Sequence, residues 1–193
     1  MNGQHLPAII LLLTSFPPCF CLGWGRGSRS FIQASALHFA GKEDVMTSFR
    51  HILVPIDFEP SSKRALEVAI DFASKFDARL TVLHAWDMPT YVYANMPYFS
   101  GEVSSALEEA ARKLLDATLA DVRKRLARAE GVLVRGQAAS EVLAAIEREA
   151  ADLVVMGTHG RRGLNRMLIG SVAERVVRGS SVPVLTVRAG DES

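Results

Sequence analysis

The stretch "ADLVVMGTHGRRGLNRMLIGSVAERVVRG", residues 151–179, joins three kinds of local sequence. Its first part, 151–157, is a short apolar run that predicts a buried β-strand. A loop punctuated by glycines follows, and the segment 172–179 then has a helical pattern. This order of strand, loop and helix raises the question of what the glycines make room for.

The same alternation extends to both sides of this stretch. Apolar runs predict four further strands, at 51–56, 78–86, 131–136 and 182–188. Amphipathic periodicity predicts helices at 65–76, roughly 102–129, and 140–150. In the longest of these the predicted apolar stripe is Leu107, Ala111, Leu114, Leu115, Leu119, Val122 and Leu126. Strands that are apolar along their whole length favour a parallel sheet with helices on both faces, and therefore a single α/β domain.

Composition limits the possible partners. The chain has 193 residues, 49% of them hydrophobic, with 22 basic and 21 acidic residues. This length supports one sizeable core, and the charge balance gives no electrostatic reason to expect nucleic acid or an anionic membrane. Both cysteines, Cys19 and Cys21, precede the predicted domain, which indicates a reducing compartment such as the cytoplasm.

Residues 1–45 differ from the rest. The apolar run 6–16 has about half of the roughly 20 residues that a membrane-spanning helix needs. No Lys or Arg precedes it, and no clear cleavage site of a secretory signal follows it. The segment 23–44 is rich in Gly and Ser without regular periodicity. We therefore predict a disordered extension over 1–45 and a folded domain over 46–190. Two alternatives stay open: the run 6–16 is the apolar part of a weak signal-like segment, or Met46 is the natural first residue.

The glycine stretch has the spacing of a phosphate cradle. Gly157 ends the predicted strand, Gly160 follows, and Gly170 stands directly before Ser171. Glycine permits positive φ and removes the Cβ, so a phosphate can approach backbone amides. The N-terminus of the following helix adds free N–H donors. Phosphate is therefore one predicted guest of this loop.

The same residues also suit roles that involve no ligand. Ser171 and Glu174 have the S-x-x-E spacing of a capping box, and Gly157 and Gly163 suit an ordinary loop. A helix terminus contributes about 0.3–2 kcal/mol toward an anion, whereas micromolar binding requires about 8 kcal/mol. Further groups must then contribute to any phosphate site. The candidates are Arg161, Arg162 and Arg166, which are otherwise solvated loop charges.

Several familiar sites are missing from the sequence. It contains no GxxxxGK(S/T), no GxGxxG after the first strand, no GxSxG and no HExxH. A zinc site built from His84 and His159 would lack further ligands. We predict no catalytic residues and no bound structural metal. The long loop 87–101 contains Tyr91, Tyr93, Tyr98 and Phe99, and it suits either a ligand lid or a flap packed on the sheet or on a partner.

Four segments together resemble the universal stress protein family over residues 49–188. They are "HILVPIDF", "LTVLHAW", "ADLVVMGTHGRRGLNRMLIGSVAERVV" and "SVPVLTVR". The most specific part is the family's ATP-binding signature, which is glycine, two residues, glycine, nine residues, glycine, then Ser or Thr. Gly157, Gly160, Gly170 and Ser171 satisfy it in full.

The resemblance implies a Rossmann-like, five-stranded parallel sheet of order 3-2-1-4-5, and a homodimer that pairs through residues 182–188. It also implies ATP, with Mg or Mn. Pro55 and Ile56 would border the base, which the main chain of Ala85 would meet, and Asp57 would hold the ribose. The outer phosphates would lie at Gly170, Ser171 and Val172. The full set is Pro55, Ile56, Asp57, Ala85, Met156, Gly157, Thr158, Gly160, Arg161, Gly170, Ser171 and Val172.

Three points qualify this assignment. Asp57 also suits a turn residue that caps the following helix. Glu59 stands where the family usually has Ser, and its carboxylate would repel phosphates unless it turns toward the helix or helps hold a divalent metal. Gln137 replaces a residue that is often acidic or Asn, away from the signature.

The sequence therefore predicts a cytoplasmic, ATP-binding regulator of stress responses. One alternative is an enzyme on a related fold, which would be a slow ATPase, an adenylyl transferase or an ATP pyrophosphatase. The sequence shows no well-placed general base for it, and Asp57 and Glu59 are the remaining candidates. The HIGH-like and SGGxDS signatures of related enzymes are both missing. Another alternative is a dimeric interaction module without nucleotide.

Overall fold

The structure is a computed structural model that describes residues 9–12, 48–87, 100–158 and 170–188. The chain divides into two compact units, one comprising Met1–Ser15 with Phe49–Ser193 and the other Phe16–Ser48. All helices and strands given below belong to the first unit. Of the second unit, only Ser48 is described.

Strands and helices alternate along the described part of the chain. The strands are β1 (Ile9–Leu12), β2 (His51–Pro55), β3 (Arg79–Trp86), β4 (Glu130–Arg135), β5 (Leu153–Gly157) and β6 (Val184–Val187). The helices are α1 (Pro60–Phe76), α2 (Ser100–Arg123), α3 (Ala138–Arg148) and α4 (Ser171–Gly179). None of these helices is both long and apolar enough to cross a membrane.

Five of the strands form a parallel sheet. Their order is β4-β3-β2-β5-β6, which is 3-2-1-4-5 when counted from the first predicted strand. The predicted fold class is therefore confirmed. Because the connections place β2 between β3 and β5, the loops after these three strands meet at one edge of the sheet.

A sixth strand, β1, extends the sheet beside β6. It runs antiparallel to β6, with Ile9 opposite Val187 and Leu12 opposite Val184. It lies inside the segment 1–45, for which the sequence analysis predicts no strand. The rest of that segment lies outside the described residues.

Helices cover both faces of the sheet, as predicted. Successive strand residues point to opposite faces, so each strand contributes to two layers of core. One layer contains Ile52, Val54, Leu80 and Val82 with the buried sides of α1 and α2. The other contains Leu53, Leu83, Val154 and Met156 with those of α3 and α4.

Helix α2 ends earlier than the predicted 129. After Arg123 the chain turns, with the Lys124 N–H donating to the Asp121 carbonyl and the Arg125 N–H to the Val122 carbonyl. These three-residue spacings tighten the chain and end the helix before it reverses into β4.

The apolar stripe of α2 is also narrower than predicted. Leu107 and Leu114 are 39% and 53% exposed. They lie seven residues apart, on the flank of the face that packs on the sheet. The buried members of the stripe are Ala111, Leu115, Leu119 and Val122.

Candidate functional site

A cavity of about 490 Å³ opens where β2, β3 and β5 end. This volume lies within the range of about 300–1,000 Å³ that is usual for small-molecule sites. The first turns of α1, α3 and α4 complete its walls. The lining residues are Pro55, Ile56, Asp57, Glu59, Ser61, Ser62, Leu83, Ala85, Ala138, Val142, Met156, Gly157, Thr158, Gly170, Ser171, Val172 and Ala173.

Every predicted nucleotide-binding residue that the structure describes lines this cavity. Two of the predicted residues, Gly160 and Arg161, lie outside the described residues. So do Gly163, Arg162, Arg166, His159 and the aromatic residues of the loop 87–101, namely Tyr91, Tyr93, Tyr98 and Phe99. The cavity thus brings the predicted set together, and the binding role of each residue remains a prediction.

Part of the cavity wall consists of residues that the sequence does not single out. Ser61 and Ser62, at 3% and 4% exposure, come from the first turn of α1, and Ala138 and Val142 come from the first turns of α3. Periodicity locates these helices, but only the strand order shows that their N-termini converge. Leu83 and Ala173 complete the missed residues.

The turn after β2 holds Asp57 at the cavity edge. Its Oδ1 accepts a hydrogen bond from the Glu59 N–H at 3.1 Å, and its own N–H donates to the Ser62 Oγ at 3.3 Å. The Ser62 hydroxyl in turn donates to the Glu59 carbonyl at 3.0 Å. Phe58, between them, adopts φ 64°. Asp57 therefore has a fixed place, with Oδ2 unpartnered among the described residues.

Asp57 does not cap α1. The N-cap of that helix is Glu59, which makes no side-chain capping hydrogen bond. The alternative that Asp57 is a turn residue is therefore correct, but the prediction that it caps the following helix is wrong. The exposed Glu59 carboxylate likewise does not satisfy the α1 amides, contrary to one of its two predicted roles.

His84 supports the same turn from β3. Its Nδ1 donates a hydrogen bond to the Ile56 carbonyl at 2.8 Å. Its ring packs against Phe58, with 4.6 Å between ring centroids. His84 thus has a structural role beside the cavity. Among the described residues, no group of three His, Cys, Asp or Glu side chains is placed to hold a metal ion.

The alternative of a capping box at α4 is wrong. The N-cap is Gly170, and Ser171 is the first helical residue. The Glu174 carboxylate pairs with Arg178 at 3.0 Å instead of reaching back to the helix start. The S-x-x-E spacing is therefore one residue out of place for a capping box, which needs its Ser at the N-cap.

This end of α4 offers donors that have no partner among the described residues. The first intrahelical bond runs from the Glu174 N–H to the Gly170 carbonyl at 2.9 Å. The N–H groups of Ser171, Val172 and Ala173 precede it and have no acceptor within the helix. All three residues line the cavity. An anion in the cavity would meet these amides and the positive end of the helix dipole.

Gly170 is joined by a hydrogen bond to Thr158, the residue that follows β5. Its N–H donates to the Thr158 carbonyl at 2.6 Å, so this amide is already used. Its backbone angles, φ −61° and ψ 151°, are open to any residue. Gly170 therefore contributes the lack of a side chain, rather than a donor or an unusual conformation.

Gly157 is required by packing. A Cβ at this position would lie 2.7 Å from the Ser61 carbonyl carbon and 2.8 Å from the Ser62 nitrogen. Among the described glycines only Gly136 has positive φ, so conformational freedom is not the reason for Gly157. Gly157 ends β5 and lets α1 approach it directly, so its predicted role as an ordinary loop glycine is wrong.

The described wall of the cavity carries negative charge. Asp57 and Glu59 are its ionisable residues, and no Lys or Arg of the described chain lines it. The nearby Arg175 lies beside Gln137, with 3.5 Å between Nη1 and Oε1. Positive potential in the described wall thus comes from helix amides.

A smaller cavity of about 320 Å³ lies at the opposite edge of the sheet, near the start of β3. Its arginines are already neutralised. Arg125 contacts Glu67 at 2.6 Å and Asp71 at 2.8 Å, and Arg128 contacts Asp77 at 3.0 Å. Paired cations leave little attraction for an anion, so the larger cavity is the candidate site.

Comparison with known proteins agrees with this architecture. Residues 48–188 match the universal stress protein family. The chain is 33% identical to universal stress protein MJ0531 of Methanocaldococcus jannaschii, over 72% of this chain and 82% of that protein. The solved structure of MJ0577 from the same organism superposes with a TM-score of 0.64 and 27% identity, covering 75% of this chain and 99% of that one.

A further solved structure is a universal stress protein in complex with cAMP. It has a TM-score of 0.51 and 24% identity, and the match covers 74% of this chain and 99% of that one. At this identity the likeness concerns the fold alone. The match over residues 48–188 and the 33% identity to MJ0531 show that the chain belongs to the universal stress protein family.

Proposed function

We propose that this chain binds ATP in the 490 Å³ cavity and acts as a nucleotide-responsive regulator in the cytoplasm. One observation supports the proposal above all: Asp57 and the start of α4, whose first three amides have no partner among the described residues, line the same cavity. Donors for a phosphate chain and an acceptor for ribose hydroxyls are thereby combined with an apolar wall.

Each part of the nucleotide has a matching part of the wall. The amides of Ser171, Val172 and Ala173 suit phosphate oxygens, because hydrogen bonds to a charged group contribute about 1.5–3 kcal/mol each. The free oxygen of Asp57 suits the ribose. The base would lie against apolar side chains, where burial contributes about 25 cal/mol per Å². These are Leu83, Ala138, Val142 and Met156.

The negative wall favours ATP that carries a divalent cation. Asp57 and Glu59 would repel a bare triphosphate, and Mg²⁺ or Mn²⁺ bound to the phosphates offsets that repulsion. These same carboxylates line the cavity and would be available to hold such an ion. Mg²⁺ keeps most of its waters and needs only one or two protein carboxylates, so Asp57 and Glu59 suit such an ion.

The regulatory role is supported by the two residues that flank the segment 159–169. Thr158 and Gly170 both line the cavity, and the Gly170 N–H donates to the Thr158 carbonyl. A ligand that binds one arrangement of the loop better than another shifts the population toward that arrangement. The neighbour solved with cAMP shows that a member of this family can hold an adenine nucleotide; the choice of ATP here rests on this chain's own residues.

Equilibrium dialysis of the full chain with ATP tests the proposal. We expect micromolar binding with Mg²⁺ present and weaker binding after its removal. Asp57→Ala should weaken binding about tenfold or more, because it removes a hydrogen bond to a charged group. Asp121→Ala is the matched control, since Asp121 is an exposed carboxylate of α2 that pairs with Lys124.

Two results would contradict the proposal. Failure of the wild type to bind ATP with Mg²⁺ would refute the function, and unchanged binding by Asp57→Ala would refute the ribose assignment. Sustained turnover of ATP that is lost in Asp57→Ala would establish the enzymatic alternative instead.

A further inference from the structure

The edge of the sheet at β6 is covered by the chain's own N-terminal segment. All four residues of β6 have partners in β1, from Val184 opposite Leu12 to Val187 opposite Ile9. On its other side β6 pairs with β5. Thus β6 is an inner strand only while β1 is in place.

Without β1, β6 would be an exposed edge. Its four residues, Val184 to Val187, are at most 2% exposed in the folded chain. Loss of β1 would leave a row of unpaired N–H and C=O groups on an apolar strand. Such an edge is a template for pairing with another chain.

A second copy of this chain is the partner that fits this edge. Two β6 strands from identical chains can pair antiparallel about a twofold axis, because each then offers the same groups to the other. That pairing uses the side of β6 that β1 occupies. Pairing with β1 and pairing with a second β6 therefore exclude each other.

We infer that β1 is an intramolecular competitor of dimerisation. While β1 is bound, the chain is a monomer, and when β1 leaves β6, two chains join their sheets edge to edge through Val184–Val187. Covalent attachment favours β1, because a tethered segment can reach an effective concentration on the order of mM. The predicted dimer through 182–188 thus requires release of β1, and this inference is independent of ATP binding.

Proline substitutions in the full chain test the competition. Along a strand, successive N–H groups point to opposite sides, so one of the N–H groups of Ile10 and Leu11 faces β6. The double variant Ile10→Pro/Leu11→Pro removes that donor whichever it is. The matched control, Ile10→Val/Leu11→Val, keeps both N–H groups and the β-propensity.

Analytical ultracentrifugation over a range of protein concentrations measures the mass of each variant and therefore its oligomeric state. We expect the wild type and the valine variant to be monomers, and the proline variant to be a dimer whose amides at 184–187 remain protected from hydrogen exchange. A dimeric wild type, or a folded proline variant that stays monomeric, would overturn the inference. So would a dimer whose 184–187 amides exchange freely.

A disulfide provides a second test that does not depend on the proline variant folding. Residues 10 and 186 are directly opposite partners. Opposed Cα atoms of antiparallel strands lie about 4.5–5.5 Å apart, within the range that a disulfide spans. In a background with Cys19→Ser and Cys21→Ser, Ile10→Cys/Thr186→Cys should form an intrachain disulfide and stay monomeric. Failure to form that disulfide under oxidising conditions, or a dimer despite it, would contradict the inference.

Discussion

Gly170→Val is expected to weaken ATP binding by about 100-fold or more while leaving the domain folded. The branched side chain would stand at the cavity wall, directly before the amides of Ser171, Val172 and Ala173. Loss of two hydrogen bonds to a charged phosphate costs about 3–6 kcal/mol, and each 1.4 kcal/mol is about tenfold in affinity. The backbone at Gly170, φ −61° and ψ 151°, accepts valine without strain.

Gly170→Ser separates binding from stability at the same position. A serine at the N-cap accepts a hydrogen bond from the second or third amide of the helix, so it should raise stability by a few tenths of a kcal/mol. The same bond removes a donor from the phosphate, and ATP binding should weaken. Equilibrium dialysis and thermal unfolding of both variants measure the two effects. Wild-type affinity in Gly170→Val would show that the phosphates lie elsewhere.

Gly157→Ala is expected to destabilise the fold by about 1–3 kcal/mol. The added methyl would meet main-chain atoms of Ser61 and Ser62 at 2.7 and 2.8 Å, and backbone in the first turn of a helix cannot turn aside as a side chain can. For a domain of this size each kcal/mol lowers Tm by about 2–4 °C. Thermal unfolding without nucleotide measures the change.

Gly101→Ala is the control for that experiment. A Cβ at Gly101, in the first turn of α2, meets nothing within 4 Å. The same chemical change should there be neutral, or stabilising by up to about 1 kcal/mol through helix propensity. Equal Tm values for Gly157→Ala and the wild type would show that α1 does not need this close approach.

The sheet could be predicted because its strands are mainly apolar and alternate with amphipathic helices, a pattern that favours a parallel sheet covered on both faces. The bounds of helices and strands that depend on tertiary contacts could not be predicted. The end of α2 is set by the reversal into β4, and β1 becomes a strand because β6 offers it an edge. Neither the end of α2 nor the formation of β1 can be predicted from the local sequence.

The candidate site could likewise be predicted only in part. Spacing alone predicts that Gly157, Gly170 and Ser171 share one site, but positive φ, one of the two reasons suggested for glycine there, applies to neither Gly157 nor Gly170. Neither glycine uses positive φ: Gly157 admits α1, and Gly170 occupies the N-cap position that the capping box assigns to Ser171. The wall formed by Ser61 and Ser62 depends on the strand order, which places the first turn of α1 beside β5.

We propose that the start of α4, which has no side-chain cap, holds the phosphate chain of ATP. The most direct test is the change in amide ¹⁵N and ¹H chemical shifts when ATP with Mg²⁺ is added to the full chain, compared with adenosine. We predict that the amides of Ser171, Val172 and Ala173 shift with ATP and move far less with adenosine. Saturating ATP that leaves these three amides unshifted would contradict the claim.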